Sequence, residues 1–178
     1  ELIRDKGYEI LYMTDSGDEF VVRMLGKFED KEFKSVNDKD LGIETDEEKK
    51  ETEKKAEESR ELLDFVKESL GGKVKDVRIS SKLKSHPVCL TTDGEITLEM
   101  EKYFKSLPGS DMGGIQAERV LEINEGHPIW QKLQSIRDDK ELLNSYASLL
   151  YGQALLIEGM SVEDPVAFSN DLCKIMAK

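Results

Sequence analysis

Apolar residues recur along this chain with two periods, and the alternation between them outlines its architecture. Val77 and Ile79, and later Leu121 and Ile123, alternate with polar neighbours, as strands with one covered face do. With the apolar run that starts at Val88, they predict three strands, over 74–80, 88–92 and 119–124. Elsewhere the spacing is three and four. Phe20, Val21, Met24 and Leu25 predict one helix, and Leu62, Leu63, Val66 and Leu70 another. Ile96, Met100, Tyr103, Phe104 and Leu107 predict a third over 95–107, bracketed by Asp93-Gly94 and Pro108-Gly109. Ile129, Trp130, Leu133 and Ile136 predict a short fourth over 127–136. Near the start, a helix end runs into Gly7, 8–13 reads as a compact strand, 14–18 is rich in turn formers, and Phe28 and Phe33 flank a charged turn.

The C-terminal third departs from this amphipathic rule. Between Glu141 and Glu158 no residue is charged, in a chain that is 36% charged. Leu142, Leu143, Tyr146, Leu149, Leu150, Ala154, Leu156 and Ile157 cover more than half of a helical wheel, and a helix apolar nearly all round must be covered on more than one face. Asn144, Ser145, Ser148, Gly152 and Gln153 make it too polar for a membrane span. After Gly159, Asp164-Pro165 supplies an N-cap followed by proline at the first helical position. The next helix carries Phe168, Leu172, Ile175 and Met176 on one stripe. Two antiparallel terminal helices with surplus apolar surface form half of a four-helix bundle that a second copy would complete, and symmetric dimers are the commonest soluble oligomers. The fold class expected is therefore mixed α+β: a small three-stranded sheet with flanking helices, ending in two antiparallel helices that pair across a dimer.

Domain boundaries follow from composition. In 45–61, 13 of 17 residues are charged. Thr45 followed by Glu48 fits a capping box, and Asp46/Lys50 and Glu51/Lys55 make i,i+4 pairs. The run reads as the solvated start of a single helix that acquires its apolar stripe at Leu62 and stops at Gly71-Gly72. A hinge is expected near Gly42. Residues 1–44 are too few to sustain a core alone and read as the end of a larger α/β domain; 45–178 form the second, dimerising domain. With no initiator methionine before an already patterned start, the chain reads as an excised piece.

The 38 acidic and 26 basic residues give a net charge of −12. Without a Lys/Arg patch, nucleic acid is not an expected partner. The charge disfavours anionic membrane surfaces, and no apolar run reaches the length of a spanning helix. Cys89 and Cys173, far apart in sequence, read as buried thiols of a reducing compartment, with the cytoplasm as the expected location.

Candidate chemistry is sparse. His86 and Cys89 stand in H-x-x-C spacing, but His127 and Cys173 lie on distant elements and no second close pair completes a zinc set; a strand cysteine and surface or capping histidines are expected, and no metal. Neither a nucleophile elbow nor a phosphate loop occurs, and Gly113-Gly114 lacks the lysine and hydroxyl that hold phosphate and magnesium. Residues 15–19 are a turn, without the ligand pattern of a calcium loop. No catalytic residue and no bound cofactor are expected. The stripe at Ile96, Met100, Tyr103, Phe104 and Leu107 has two readings. Most such helices face their own sheet, but its methionine and aromatic content also suits adaptable recognition of a partner.

Several stretches, in order, resemble the end of the heat-shock protein 90 family, most of all its bacterial form. KGYEILYMTDSGDEF at 6–20 resembles the close of that family's middle domain. VKDVRISSKLKSHPVCL at 74–90 resembles the first two strands of its C-terminal domain, and SDMGG at 110–114 with RVLEINEGHPI at 119–129 resembles the approach to and passage through its third strand. LLYGQALLIEG at 149–159 and VEDP at 162–165 resemble its dimerisation helices. The resemblance implies a homodimerisation and client-contact module of an ATP-dependent chaperone that assists folding under stress. ATP and magnesium would be held in an N-terminal domain outside this chain. It implies a dimer interface at Leu143, Tyr146, Leu149, Leu150, Gln153, Ala154, Ile157, Phe168, Leu172, Ile175 and Met176. It also implies contact with unfolded or partly folded client proteins at Ile96, Met100, Tyr103, Phe104 and Leu107. The chain ends without the EEVD tail of eukaryotic relatives, so no tetratricopeptide co-chaperone is expected to dock there. The competing expectations are a free-standing dimeric scaffold or adaptor without chaperone activity, and a small enzyme assembled from dispersed carboxylates.

Overall fold

A computed structural model describes residues 2–15, 17–38, 41–107 and 115–177. The chain divides into two compact units, residues 1–43 with 91–118, and residues 44–90 with 119–178.

The second unit opens on α3 (Asp46–Glu58), and its N-terminus is closed by the capping box that the sequence implies. The Thr45 hydroxyl accepts from the Glu48 amide at 3.1 Å, and the Glu48 carboxylate accepts from the Thr45 amide at 2.8 Å. Lys55 pairs with Glu51 at 2.8 Å and with Glu125 at 2.7 Å. One continuous helix was the expectation; instead the backbone breaks at Ser59, and α4 (Arg60–Ser69) follows. The break separates two faces with different needs. No residue of α3 is buried, whereas α4 turns Leu62, Leu63 and Val66 into the core. Gly71 and Gly72, at φ 57° and 85°, end α4 in a conformation that side chains disfavour.

The sheet places β5 (Arg119–Ile123) between β3 (Asp76–Ile79) and β4 (Val88–Thr92). β3 runs parallel to β5, with Val77 opposite Leu121 and Ile79 opposite Ile123. The Asp93 amide donates to the Glu118 carbonyl and the Asn124 amide to the Pro87 carbonyl. Residue numbers rise on one strand as they fall on the other, so β4 and β5 are antiparallel. β3 keeps the alternation read from the sequence, but β5 does not: Val120, Leu121, Glu122 and Ile123 are all buried. A central strand has both faces covered, which a one-sided pattern fails to anticipate.

The remaining helices of this unit are α6 (Pro128–Ser135), α7 (Lys140–Ile157) and α8 (Pro165–Met176). α6 buries Trp130 and Leu133, and His127 is its cap, accepting from the Ile129 amide at 3.2 Å on Nδ1. α7 packs against α4 and α8. Asp164 caps α8 by accepting from the Val166 and Ala167 amides, with Pro165 at the first helical position. The core is Val66, Val88, Leu90, Val120, Leu121, Ile123, Leu133, Leu143, Ala147, Ala154 and Leu155.

The first unit holds α1 (Leu2–Asp5), α2 (Asp18–Leu25), a hairpin of β1 (Lys27–Phe28) and β2 (Lys31–Glu32), and α5 (Leu98–Ser106). The hairpin is the charged turn expected between Phe28 and Phe33, with Glu29 at φ 53°. The expected strand over 8–13 does not form. A strand exists through its ladder, and among the described residues no strand pairs with this segment; Tyr8, Leu11, Tyr12 and Met13 are exposed. At the turn anticipated over 14–18, the Asp18 amide donates to the Asp15 carbonyl at 3.1 Å. The Asp18 carboxylate accepts from the Asp15 and Thr14 amides, which holds its pKa below the ordinary value. The SDMGG stretch, 110–114, lies outside the described residues.

Candidate functional site

The α7–α8 hairpin is the first candidate. The helices are antiparallel: Lys174, near the end of α8, bonds to Glu141, at the start of α7. At Gly152 the two helices meet tightly: an added Cβ would lie 2.6 and 2.7 Å from two ring carbons of Phe168. Gly152→Ala gains about 0.8–1 kcal/mol of helix propensity, but overpacking a tight contact costs about 1–3 kcal/mol. A net loss of about 1 kcal/mol in urea unfolding is expected; a net gain would show that the ring moves aside freely.

The residues named for an interface divide into three groups. Leu143, Leu150 and Ala154 are buried by the chain itself. Tyr146, Leu149, Phe168 and Ile175 are half-buried, and Gln153, Ile157, Leu172 and Met176 are exposed. Leu156 is 54% exposed and Val166 70% exposed beside them. Leu156 belongs to the apolar arc of α7 read from the sequence, while Val166 lies outside the stripe spacing of α8 and gave no signal. Tyr146, Leu149 and Gln153 follow one face of α7 at spacings of three and four, and Leu156 and Ile157 continue it three and four positions on. α8 buries none of its residues, although it carries Val166, Phe168, Leu172, Ile175 and Met176.

The second candidate is α5. Thr97 caps it, accepting from the Met100 amide at 3.2 Å and donating to Glu19 on α2 at 2.8 Å. Arg23, also on α2, pairs with Glu19 at 3.2 Å and donates to the Glu95 carbonyl. So tied, α2 lays Phe20 against the stripe. Its ring centroid is 5.1 Å from that of Tyr103 and 6.0 Å from that of Phe104, both edge-on, a favoured aromatic geometry. Ile96, Met100, Tyr103 and Phe104 are half-buried, and Leu107 is exposed. The side of α5 that is fully buried carries Leu98 and Glu101. The Glu101 carboxylate accepts from the Ala117 amide at 2.9 Å and from Lys105 at 2.6 Å. The stripe is therefore neither a sealed core face nor an open one. Phe20 was not among the contact residues anticipated, since its pattern marked only the helix to which it belongs.

Polar chemistry elsewhere is structural in its geometry. Glu122, buried in β5, accepts from Ser80 at 2.8 Å and lies 3.9 Å from Lys82 and from the Cys89 sulfur. Burial, and then the Glu122 charge, push the Cys89 thiol up to about 12 from 9.0. The folded chain thus holds this proton where the unfolded chain releases it. The resulting stability is complete below pH 9 and is lost as pH rises toward 12. Cys173 is exposed and Cys89 half-buried, contrary to the expectation of two buried thiols; Cys173 lies on α8, which buries none of its residues. Both cysteines are free. A thiol reagent at pH 8 is expected to titrate Cys173 within minutes and to reach Cys89 only on unfolding; equal rates would contradict these environments. Among the described residues no three of His, Cys, Asp and Glu gather as metal ligands, and no helix is long and apolar enough to cross a membrane.

Comparison with known proteins places these features in a family. The Hsp90 protein family model matches residues 1–178. The chain is 55% identical over 177 residues to Chaperone protein HtpG of Clostridium acetobutylicum, covering 99% of this chain and 28% of that relative. It is 54% identical over 178 residues to Chaperone protein HtpG of Halalkalibacterium halodurans, and 52% identical over 177 residues to that of Bacillus subtilis, again 99% of this chain and 28% of each relative. The chain therefore spans little more than a quarter of the length of the curated relatives it matches. A match that runs from the first residue to the last takes in the exposed α7–α8 face and the half-covered α5 stripe alike, and it shows that the chain belongs to the Hsp90 family.

Proposed function

We propose that this chain is the homodimerisation and client-contact module of an ATP-dependent molecular chaperone. The observation that carries the reading is α8: a 12-residue helix with five large apolar side chains and none of them buried. An exposed apolar face of this kind marks an interaction surface. Its pairing with the matching face of α7 suits a twofold, self-complementary contact with a second copy, a four-helix bundle across the axis. The α5 stripe with Phe20 supplies the client surface. Aromatic and methionine side chains held half-covered on a short helix suit adaptable contact with unfolded chains. The free thiols agree with action in the cytoplasm.

In this reading the chain binds no nucleotide and has no catalytic residue of its own, the ATPase belonging to the rest of the longer protein. Titration calorimetry with ATP and magnesium is expected to give no specific heat of binding to this chain, whereas saturable magnesium-dependent binding would overturn that division of labour. The module as a whole is tested by suppression of aggregation of a model unfolded protein. Stoichiometric suppression is expected, and its absence at excess chain would remove the client role.

A further inference from the structure

The loop between α7 and α8 is held by a polar cluster that no apolar pattern announces. Glu163 accepts from Lys73 at 3.0 Å and lies 3.9 Å from Arg119 Nη1. The same Nη1 donates to the Tyr151 hydroxyl at 2.6 Å, and Lys73 sits 5.9 Å from the centre of the Tyr151 ring. Arg119 is largely buried and Tyr151 is buried. Four side chains thus join four separate points of one unit: the turn after α4, the first residue of β5, the middle of α7, and the approach to α8.

α8 itself buries no residue. Among its ties to the rest of the unit are Phe168 over Gly152, the exposed Lys174–Glu141 pair, and this cluster at its N-terminal approach. With no fully buried residue of its own, α8 depends on such contacts for its pose, and Glu163 supplies one a single residue before its cap. We infer that Glu163 is a positioning residue. By engaging Lys73 and Arg119 it pins the approach to α8 to the sheet and to α7, and so sets the pose of the exposed apolar face. The inference deepens the dimer reading above, on which its functional consequence rests. Because the pin is an ion-pair cluster with exposed members, it weakens as salt rises.

The test is hydrogen exchange, read peptide by peptide, on the wild-type chain, Glu163→Gln, Tyr151→Phe and the double variant, at equal concentrations in low and high salt. Glu163→Gln should speed exchange in α8 by roughly three- to fivefold at low salt, the scale of a partly exposed ion pair, and leave β3 and β5 unchanged. High salt should bring the wild type toward the variant, and the double variant should fall short of the product of the two single effects, as members of one cluster do. Unchanged α8 exchange in Glu163→Gln, or an effect spread evenly over the unit, would overturn the inference. Light scattering on the same samples separates the two readings. A wild-type chain that is monomeric throughout refutes the dimer, while α8 exchange alone judges the pin.

Discussion

Leu156→Ala combined with Leu172→Ala is expected to abolish self-association at micromolar concentration while leaving the fold of each chain intact. Both side chains are exposed in one chain, at 54% and 43%, so truncating them opens no cavity. In a twofold contact each change occurs twice, and four leucines lose their cover together. At about 1.5 kcal/mol for each side chain that would have been buried, the loss is roughly 6 kcal/mol, or about four decades in dissociation constant. Sedimentation velocity should show monomer and circular dichroism a wild-type spectrum, with the melting temperature lowered only by the lost association and no longer dependent on concentration. Leu150→Ala is the control. That leucine is buried within the chain, so its truncation should cost about 2–5 kcal/mol of folding stability instead. Persistence of the dimer in the exposed pair of variants would place the interface elsewhere.

The second large effect is expected at α5. Met100→Ser with Phe104→Ser should reduce capture of an aggregating client severalfold or more. The cost in stability should be modest, about 1–2 kcal/mol, because both side chains are only half-buried and the edge-on contact with Phe20 contributes about 0.5–1.5 kcal/mol. Phe20→Ala should lower capture in the same direction. A fully buried phenylalanine would cost about 3–5 kcal/mol on truncation. A drop of that size with client capture unchanged would return the stripe to an ordinary core face.

What was legible in the sequence was whatever depends on near neighbours. The Thr45/Glu48 box, the Asp164-Pro165 start, the glycine stop after α4 and the three strands all follow from local pattern, and the structure holds them at those positions. What was not legible depends on partners distant in sequence. The segment 8–13 has strand composition but no ladder among the described residues. β5 is covered on both faces because it is central, a property of strand order and not of its own five residues. The same limit applies to the candidate surfaces. Periodicity marked the apolar arc of α7, but not which part of it the chain would cover, so Leu143, Leu150 and Ala154 stand inside while Leu156 stands outside. Periodicity also marked the α5 stripe, but Phe20 and Tyr103 are 83 positions apart and only the fold brings them together.

The central claim, that the exposed face of α7 and α8 is an interface with a second copy, is tested most directly by molar mass. Light scattering over a dilution series of the wild-type chain should give twice the 20.2 kDa of one chain at the highest concentrations, falling toward 20.2 kDa as the chain is diluted. A mass of 20.2 kDa at every concentration, up to hundreds of micromolar, would contradict it.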